Sequence, residues 1–183
     1  MELRRLRVPQ GAAFERAMQL YSISFPPHEQ REPASQADCM GLEEYHFELV
    51  YDGPTWAGII LYWETDAFLY IEHFCMFPEL RGKNYGRRAL DCLAKKGKTM
   101  ILEIDPPEDA ISIRRKGFYL RSGFVPTPFP HVHPPYHAGN DGHTLVVMSH
   151  PKALTEDVYR AFYVYLKDHV MKGCGTLPCC PTI

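Results

Sequence analysis

Residues 73–90 read HFCMFPELRGKNYGRRAL, and this stretch predicts a strand, a short loop and a helix in direct succession. The strand is rich in aromatic residues and ends at Phe77. The helix begins near Tyr85 and runs to Lys96, because apolar residues recur at core spacing and Gly97 follows as a stop signal. A helix that starts in this way exposes unpaired backbone N–H groups and the positive end of its dipole.

The loop between strand and helix, RGKNYG at residues 81–86, has the composition of an anion site. Helix starts bind pyrophosphate readily, and Gly82 and Gly86 leave room for the backbone to approach phosphates closely. Four positive side chains surround the loop: Arg81, Lys83, Arg87 and Arg88. The pattern is neither a Walker A loop nor a complete dinucleotide fingerprint, and taken alone it also fits a capped surface loop.

Periodicity on either side of this stretch predicts alternating strands and helices. Asp52 and Gly53 mark a hairpin turn between the two apolar strands that precede the aromatic strand. A short strand, MILEID, ends at Asp105, which is expected to cap a helix that runs to Ser122 before Gly123. The element order is β-α-α-β-β-β-α-β-α-β-β-α, which predicts an α/β (α+β) fold with a mixed sheet and helices on both faces.

The composition is that of an ordinary globular domain, with 45% hydrophobic residues, 23% charged residues and a net charge of -2 over 183 residues. This charge balance argues against nucleic-acid binding. The longest apolar run, Trp56–Trp63, is too short to span a membrane, and no signal peptide is recognisable, so we expect a cytoplasmic protein without membrane attachment. No break in composition divides the chain, so we expect one domain over residues 1–172 and a flexible tail over residues 173–183.

The six cysteines divide into core positions and a cluster near the end of the chain. Cys75 and Cys92 lie in apolar segments and are expected to be small core residues. The tail sequence GCGTLPCC lacks the paired spacing of a zinc site, and without a secretion signal disulfides are not expected. We therefore expect free thiols and a monomer or weak homodimer.

Three segments in order, HFCMFPELRGKNYGRRAL, ILEI and FYLRSGF, resemble the GNAT superfamily of N-acetyltransferases. In that family a strand leads into an Arg/Gln-x-x-Gly-x-Gly/Ala loop that holds the coenzyme A pyrophosphate, and a later helix ends in Tyr-x-x-x-Gly-Phe. The first motif corresponds to residues 81–86 and the second to Tyr119, Gly123 and Phe124. Asn84 replaces the first loop glycine, and asparagine is the non-glycine residue that best tolerates a left-handed turn.

The resemblance implies a GNAT-like fold, with a mostly antiparallel central sheet of six to seven strands, and acetyl-CoA as the cosubstrate. Ser112 stands at about the place where the family often has an asparagine that contacts pantetheine. The cofactor contacts that the resemblance implies are Phe74, Cys75, Met76, Arg81, Gly82, Lys83, Asn84, Tyr85, Gly86, Arg87 and Ser112.

Tyr119 is the candidate general acid, because a phenol can protonate a departing thiolate and because the family motif implies the same role. The alternative is a core aromatic residue beside Phe118. Glu72 is the candidate base: strand alternation places it on the face of Phe74 and Met76, and burial there is expected to raise its pKa. His73, expected on the other face, is the alternate base, and a structural hydrogen bond is the other role open to Glu72.

The acceptor site is expected in the loop FPPHEQRE, which contributes Glu29 and Arg31, and in Glu103 and Tyr136. Glu103 has a second possible role, an ion pair with Arg114 or Arg115, and a solvated loop is the plain alternative for FPPHEQRE. The spacing of the later histidines matches no common zinc signature, so no metal is expected; these histidines are His131, His133, His137 and His143.

These observations predict an enzyme that moves an acetyl group from acetyl-CoA to a primary amine of a small molecule. The balanced charge favours a small acceptor over a basic protein tail. Two alternatives remain at this point: a non-catalytic acyl-CoA sensor of the same fold, and an unrelated α+β protein whose loop binds nothing. Retention of Tyr119 favours catalysis over a sensor.

Overall fold

A computed structural model describes residues 1–174, in which seven strands form one sheet and two more form a small hairpin. The sheet consists of β1 (Glu2–Leu6), β2 (Tyr45–Asp52), β3 (Thr55–Glu64), β4 (Phe68–Met76), β5 (Thr99–Ile104), β6 (Val125–Pro126) and β9 (Val146–His150). The hairpin pairs β7 (Val132–His133) with β8 (His143–Thr144). The helices are α1 (Ala12–Ser24), α2 (Pro33–Met40), α3 (Tyr85–Ala94), α4 (Ala110–Arg121) and α5 (Glu156–Tyr165).

The strands of the sheet follow the order β1-β2-β3-β4-β5-β9-β6. All neighbours run antiparallel except β4 and β5, which are parallel because α3 connects them by a crossover. The predicted fold class, a mixed and mostly antiparallel sheet of six to seven strands between helices, is therefore confirmed.

Two apolar cores lie on opposite faces of the sheet. Helices α1, α2 and α5 bury one face, with Tyr21, Met40 and Phe162 among the contacts. Helices α3 and α4 bury the other face, through residues such as Leu90 and Tyr119. Because both faces are covered, the central strands are almost continuously apolar rather than alternating.

The parallel pair β4 and β5 is hydrogen-bonded only over its first half. The last paired residues are Ile71 and Leu102, although β4 continues to Met76 and β5 to Ile104. A gap therefore opens in the middle of the sheet, and within residues 1–174 no strand lies beside the backbone edge of β4 beyond Ile71 on that side.

Several element boundaries differ from the sequence prediction. The cap of α4 is Asp109, not Asp105: the Asp109 carboxylate accepts hydrogen bonds from the backbone N–H groups of Ile111 and Ser112, and Ser112 completes the capping box. Two consecutive prolines after Asp105 carry the chain past the predicted start. The last helix begins at Glu156, after its cap Thr155, and continues as a π-helical turn over Leu166–Val170.

Cys174 was assigned by the sequence to the tail, but its sulfur lies 3.3 Å from Nη1 of Arg31. The described cysteines, which are Cys39, Cys75, Cys92 and Cys174, are free thiols. The predicted flexibility and free thiols of the rest of the tail concern residues 175–183, outside the described residues. Within residues 1–174, no helix has both the length and the apolar character that a membrane crossing requires.

Candidate active site

A large cavity of about 1030 Å³ occupies the gap between β4 and β5. It extends from the loop before α3, past α4, to the segment between α1 and α2 and the β7–β8 hairpin. One continuous space therefore joins the predicted phosphate loop to the predicted acceptor loop.

The phosphate end of the cavity is formed by the start of α3. Asn84 caps this helix in the left-handed conformation, with φ of 64°, so it takes the role that glycine has in the family motif. Gly82 also has a positive φ, 75°, with open space where a side chain would stand. Gly86 lines the cavity and has a second constraint, because a Cβ there would lie 3.2 Å from the Phe118 ring. It allows α3 and α4 to pack closely.

The positive side chains of this loop have different surroundings. Arg81 and Arg87 line the cavity, whereas Lys83 is exposed outside its wall. Arg88 forms a two-pronged ion pair with Asp52, with both N–O distances 2.7 Å, so its charge is already matched. Two further arginines of α4, Arg114 and Arg121, line the cavity near this end.

The middle of the cavity is lined by Phe74, Cys75 and Met76 on β4 and by Tyr119 on α4. The Tyr119 hydroxyl makes no hydrogen bond with any described residue, and burial raises the pKa of Tyr119 to about 12. The phenol therefore stays protonated through the neutral range. Ser112, expected at pantetheine, lies away from the cavity wall and its hydroxyl is engaged in the cap of α4.

A β-bulge changes the direction of the β4 side chains. The pairing of β3 with β4 shifts by one residue at Glu72, since Leu61 lies opposite His73 and Tyr62 lies opposite Ile71. The extra residue places Glu72 and His73 both on the α1–α2 side, while Phe74 and Met76 pack on the α3–α4 side. The prediction from simple alternation, that Glu72 shares a face with Phe74 and Met76, is wrong for this reason.

The Glu72 side chain is fully buried and its carboxylate is surrounded by donors. Arg31 donates from Nε at 2.8 Å, Trp63 from Nε1 at 2.9 Å and Tyr136 from its hydroxyl at 2.9 Å. Burial alone would raise the pKa of Glu72, but the guanidinium of Arg31 and these hydrogen bonds hold it below its ordinary value. The expected upward shift is therefore wrong, and the carboxylate is a weak proton acceptor.

Of the two predicted acceptor contacts Arg31 and Tyr136, only Tyr136 lines the cavity. The Arg31 side chain is fully buried, and its Nη2 donates to the Val170 carbonyl at 2.7 Å, so it lies behind the cavity wall. Tyr136 does line the cavity, but its hydroxyl is donated to Glu72. Both residues hold Glu72 in place.

His73 has the arrangement of a proton acceptor. Its Nε2 lies 2.9 Å from the Glu29 carbonyl oxygen and 3.2 Å from the Tyr21 hydroxyl. A carbonyl can only accept, so Nε2 carries the proton and Nδ1 keeps its lone pair when the ring is neutral. Nδ1 is buried and has no partner among the described residues, and the side chain lines the cavity. Burial lowers the pKa of His73 below its ordinary value, which the nearby Glu72 carboxylate offsets only in part.

Glu103 lines the cavity and has Tyr70 and two histidines as its partners, not Arg114 or Arg115. Tyr70 donates to its Oε2 at 2.6 Å, His131 Nε2 contacts Oε1, and His133 Nε2 lies 3.8 Å from Oε2. Burial would raise the pKa of Glu103, but His133, His131 and Tyr70 together lower it. Two of the later histidines, His133 and His143, also line the cavity.

Glu29, predicted as an acceptor contact, lines the end of the cavity opposite the start of α3. His28 Nε2 is 3.6 Å from the Glu29 carboxylate, and Asp105 pairs with Arg115 at 2.5 Å. Burial and the Asp105 charge raise the pKa of Glu29. The two ends of the cavity thus differ in charge, with arginines at the start of α3 and carboxylates and imidazoles at the other end.

Comparison with known proteins agrees with this geometry. The model of the acetyltransferase (GNAT) family matches residues 14–124. A solved structure from Bacteroides thetaiotaomicron, described as an acetyltransferase of the GNAT family, is 28% identical and superposes with a TM-score of 0.87 over 93% of this chain and 98% of its own. An acetyltransferase from Bacillus subtilis, solved in complex with CoA, shares the fold at 16% identity, with a TM-score of 0.53 over 81% of this chain and 95% of its own.

Among curated proteins, the chain is 29% identical over 68 residues to a Bacillus subtilis (strain 168) protein named as acetyltransferase YjbC. This match spans 36% of the present chain and 35% of that relative.

The buried ion pair makes a testable prediction for stability. Arg31→Met leaves the Glu72 charge buried without its partner, so the free energy of unfolding should fall by about 3–5 kcal/mol. In the native protein the pKa of Glu72 is lower in the folded state than its ordinary value of 4.5. The resulting stability is fully present above pH 4.5 and is lost as the pH falls through the pKa of the folded state. In Arg31→Met, burial raises the pKa of Glu72, so the free energy of unfolding of this variant should instead increase as the pH falls from 7.5 to 5.5. Urea unfolding at both pH values measures the difference.

The matched control is the double variant Arg31→Met with Glu72→Leu, which removes both charges and should recover much of the lost stability. A loss below about 1 kcal/mol in Arg31→Met, as for an exposed pair, would contradict this account of the interaction.

Proposed function

The chain belongs to the acetyltransferase (GNAT) family, and we propose that it transfers an acetyl group from acetyl-CoA to a primary amine of a small molecule. The observation that carries the proposal is the single cavity, which joins a cationic helix start to an end lined by carboxylates and imidazoles. Such a cavity suits a cosubstrate with phosphates at one end and a cationic acceptor at the other.

In the proposed complex, the pyrophosphate of acetyl-CoA lies against the backbone N–H groups at the start of α3, with Arg81 and Arg87 beside it. The pantetheine arm follows Phe74–Met76, where the backbone of β4 lacks a β5 partner and can bond to the amides of the arm. The acetyl group then stands in the middle of the cavity, near Tyr119.

We assign the proton acceptor to His73 in place of Glu72. The amine nitrogen attacks the thioester carbon, the N–C bond forms, and the C–S bond breaks. His73 Nδ1 takes the proton that the amine loses, directly or through one water, and Tyr119 gives its proton to the departing thiolate. The unpartnered Nδ1 and the uncommitted phenol support turnover over a non-catalytic sensor.

The proposed cofactor site predicts different effects for two adjacent arginines. Arg87 lines the cavity, so Arg87→Ala should weaken acetyl-CoA binding by about tenfold or more, the equivalent of one charge-assisted hydrogen bond. Arg88→Ala is the matched control, since Arg88 is committed to Asp52 and should leave the affinity nearly unchanged. Isothermal titration with acetyl-CoA compares them, and equal affinities for both variants would remove the support for this site.

The proposed acid predicts the behaviour of Tyr119→Phe, which keeps the ring and removes the proton. Affinity for acetyl-CoA should hardly change, while kcat should fall by about 10²-fold or more, because the hydroxyl acts in the transition state. Thiol release, with an acceptor found by screening primary amines, measures both values. Tyr51→Phe, a tyrosine outside the cavity, serves as the control. If Tyr119→Phe had the same kcat as the native protein, Tyr119 would have only a packing role.

The proposed base predicts both a mutant and a pH profile. His73→Gln can still donate to the Glu29 carbonyl but cannot take a proton, so kcat should fall by about 10²- to 10⁴-fold. In the native enzyme kcat should rise with pH through the pKa of His73, which lies below the ordinary 6.5, and be level above about pH 7. If His73→Gln keeps its turnover while a folded Glu72→Gln loses it, the base is Glu72.

A further inference from the structure

We propose that His28, Glu29 and His143 form a binding site for a divalent ion of the zinc class at the acceptor mouth of the cavity. One ligand atom from each of the three side chains lies within 4.8 Å of the other two. The residues come from the turn Pro27–Glu29 and from β8, which are more than a hundred residues apart in the chain. This site is additional to the proposed acetyl transfer and does not depend on it.

The spacing of the donors is close to that of a metal centre. His28 Nε2 lies 3.6 Å from Glu29 Oε1, and His143 Nε2 lies 3.7 Å from Asp105 Oδ1. Zinc bonds to nitrogen and oxygen of about 2.0–2.2 Å in a tetrahedron put neighbouring ligand atoms about 3.3–3.6 Å apart. The three donor atoms lie within 4.8 Å of one another, so side-chain rotations that bring them about 1 Å closer would allow coordination, and water would complete the tetrahedron.

The donors of this site are not engaged elsewhere. Within residues 1–174, the His28 ring and the Glu29 carboxylate have each other as their nearest polar partner, and the His143 ring has only Asp105. The three side chains are partly exposed, so an ion can reach them. Arg115 neutralises one oxygen of Asp105, which leaves Glu29 as the unmatched negative charge, and this favours a bound cation.

The ligand types select the class of ion. Two imidazoles with one or two carboxylates suit zinc, nickel or cobalt, whereas magnesium and calcium prefer sites made wholly of oxygen. The sequence spacing of the histidines hides this arrangement, because His28 and His143 meet only in the folded chain.

An ion at this site would join the two segments that border the acceptor end. The Pro27–Glu29 turn already contacts the loop before β8, since His137 Nε2 lies 2.8 Å from the Pro27 carbonyl oxygen. The ion would add a second link, at Glu29, whose backbone carbonyl orients His73. Binding to the folded state alone should also raise the thermal midpoint of the protein.

The test is a titration of the metal-stripped full chain with Co²⁺ at pH 7.5, followed by visible absorption. We expect one equivalent to bind with the d–d bands of nitrogen and oxygen ligands, and the thermal midpoint to rise with Co²⁺. His28→Ala and His143→Ala should each weaken Co²⁺ binding by at least about tenfold. His169→Ala, which removes a partly exposed histidine paired with Glu44 away from the cavity, should bind Co²⁺ as the native protein does.

Three results would overturn the site: no Co²⁺ binding, equal binding by His28→Ala, His143→Ala and the native protein, or a thiolate charge-transfer band that places the ion on cysteines. Acetyl-CoA titrations of the same variants keep the two proposals apart. The His28→Ala and His143→Ala proteins should bind acetyl-CoA normally, so a failed metal site leaves the proposed transferase activity standing, and a failed cofactor site leaves the Co²⁺ result standing.

Discussion

The buried ion pair between Arg31 and Glu72 is the interaction on which the half of the cavity opposite the start of α3 depends. A lone guanidinium or carboxylate in this environment would be strongly destabilising, so each group requires the other. Through Arg31 the pair reaches the carbonyl of Val170 at the end of the last helix, and through Glu72 it reaches Trp63 on β3 and Tyr136 in the loop after β7. Three distant parts of the chain are thereby held around one charge pair.

The two consecutive residues Glu72 and His73 of β4 have different roles, since Glu72 is structural and His73 is the proposed base. The bulge that directs Glu72 toward Arg31 also brings His73 to the same side, and the two consecutive residues have opposite hydrogen-bonding states. Glu72 has donors on both carboxylate oxygens, while His73 has one nitrogen engaged and one free. A group whose lone pairs are already satisfied stabilises the fold, whereas a neutral ring with a free lone pair can accept a proton. Position on the strand alone does not distinguish these two roles.

Local signals in the sequence were sufficient for the fold and for the backbone geometry of the loop before α3. The strand, the RGKNYG loop and the start of α3 are contiguous, so their geometry follows from nearby residues, and even the left-handed conformation at Asn84 was expected. The acceptor end was predicted less well because it depends on contacts between distant residues. A bulge reverses side-chain direction without an obvious signal in the residues, and the partners of Glu72 and Glu103 come from 41 and 28 residues away. The cap of α4 was misplaced because Asp105 and Asp109 both precede plausible helix starts.

Glu29 shows how one residue can link the two regions of the acceptor end. Its backbone carbonyl fixes the tautomer of His73, and its carboxylate faces the mouth beside His28 and His143. The turn that contains Glu29 is held from two sides, by His137 at the Pro27 carbonyl and by the hydrogen bond from His73. A cation at the mouth, or an acceptor that binds the Glu29 carboxylate, would therefore contact the Pro27–Glu29 turn. Because a hydrogen bond weakens steeply as its angle departs from linearity, a small rotation of that turn would alter how firmly the His73 proton is held on Nε2. The mouth and the proposed base are thus mechanically joined through a single peptide group.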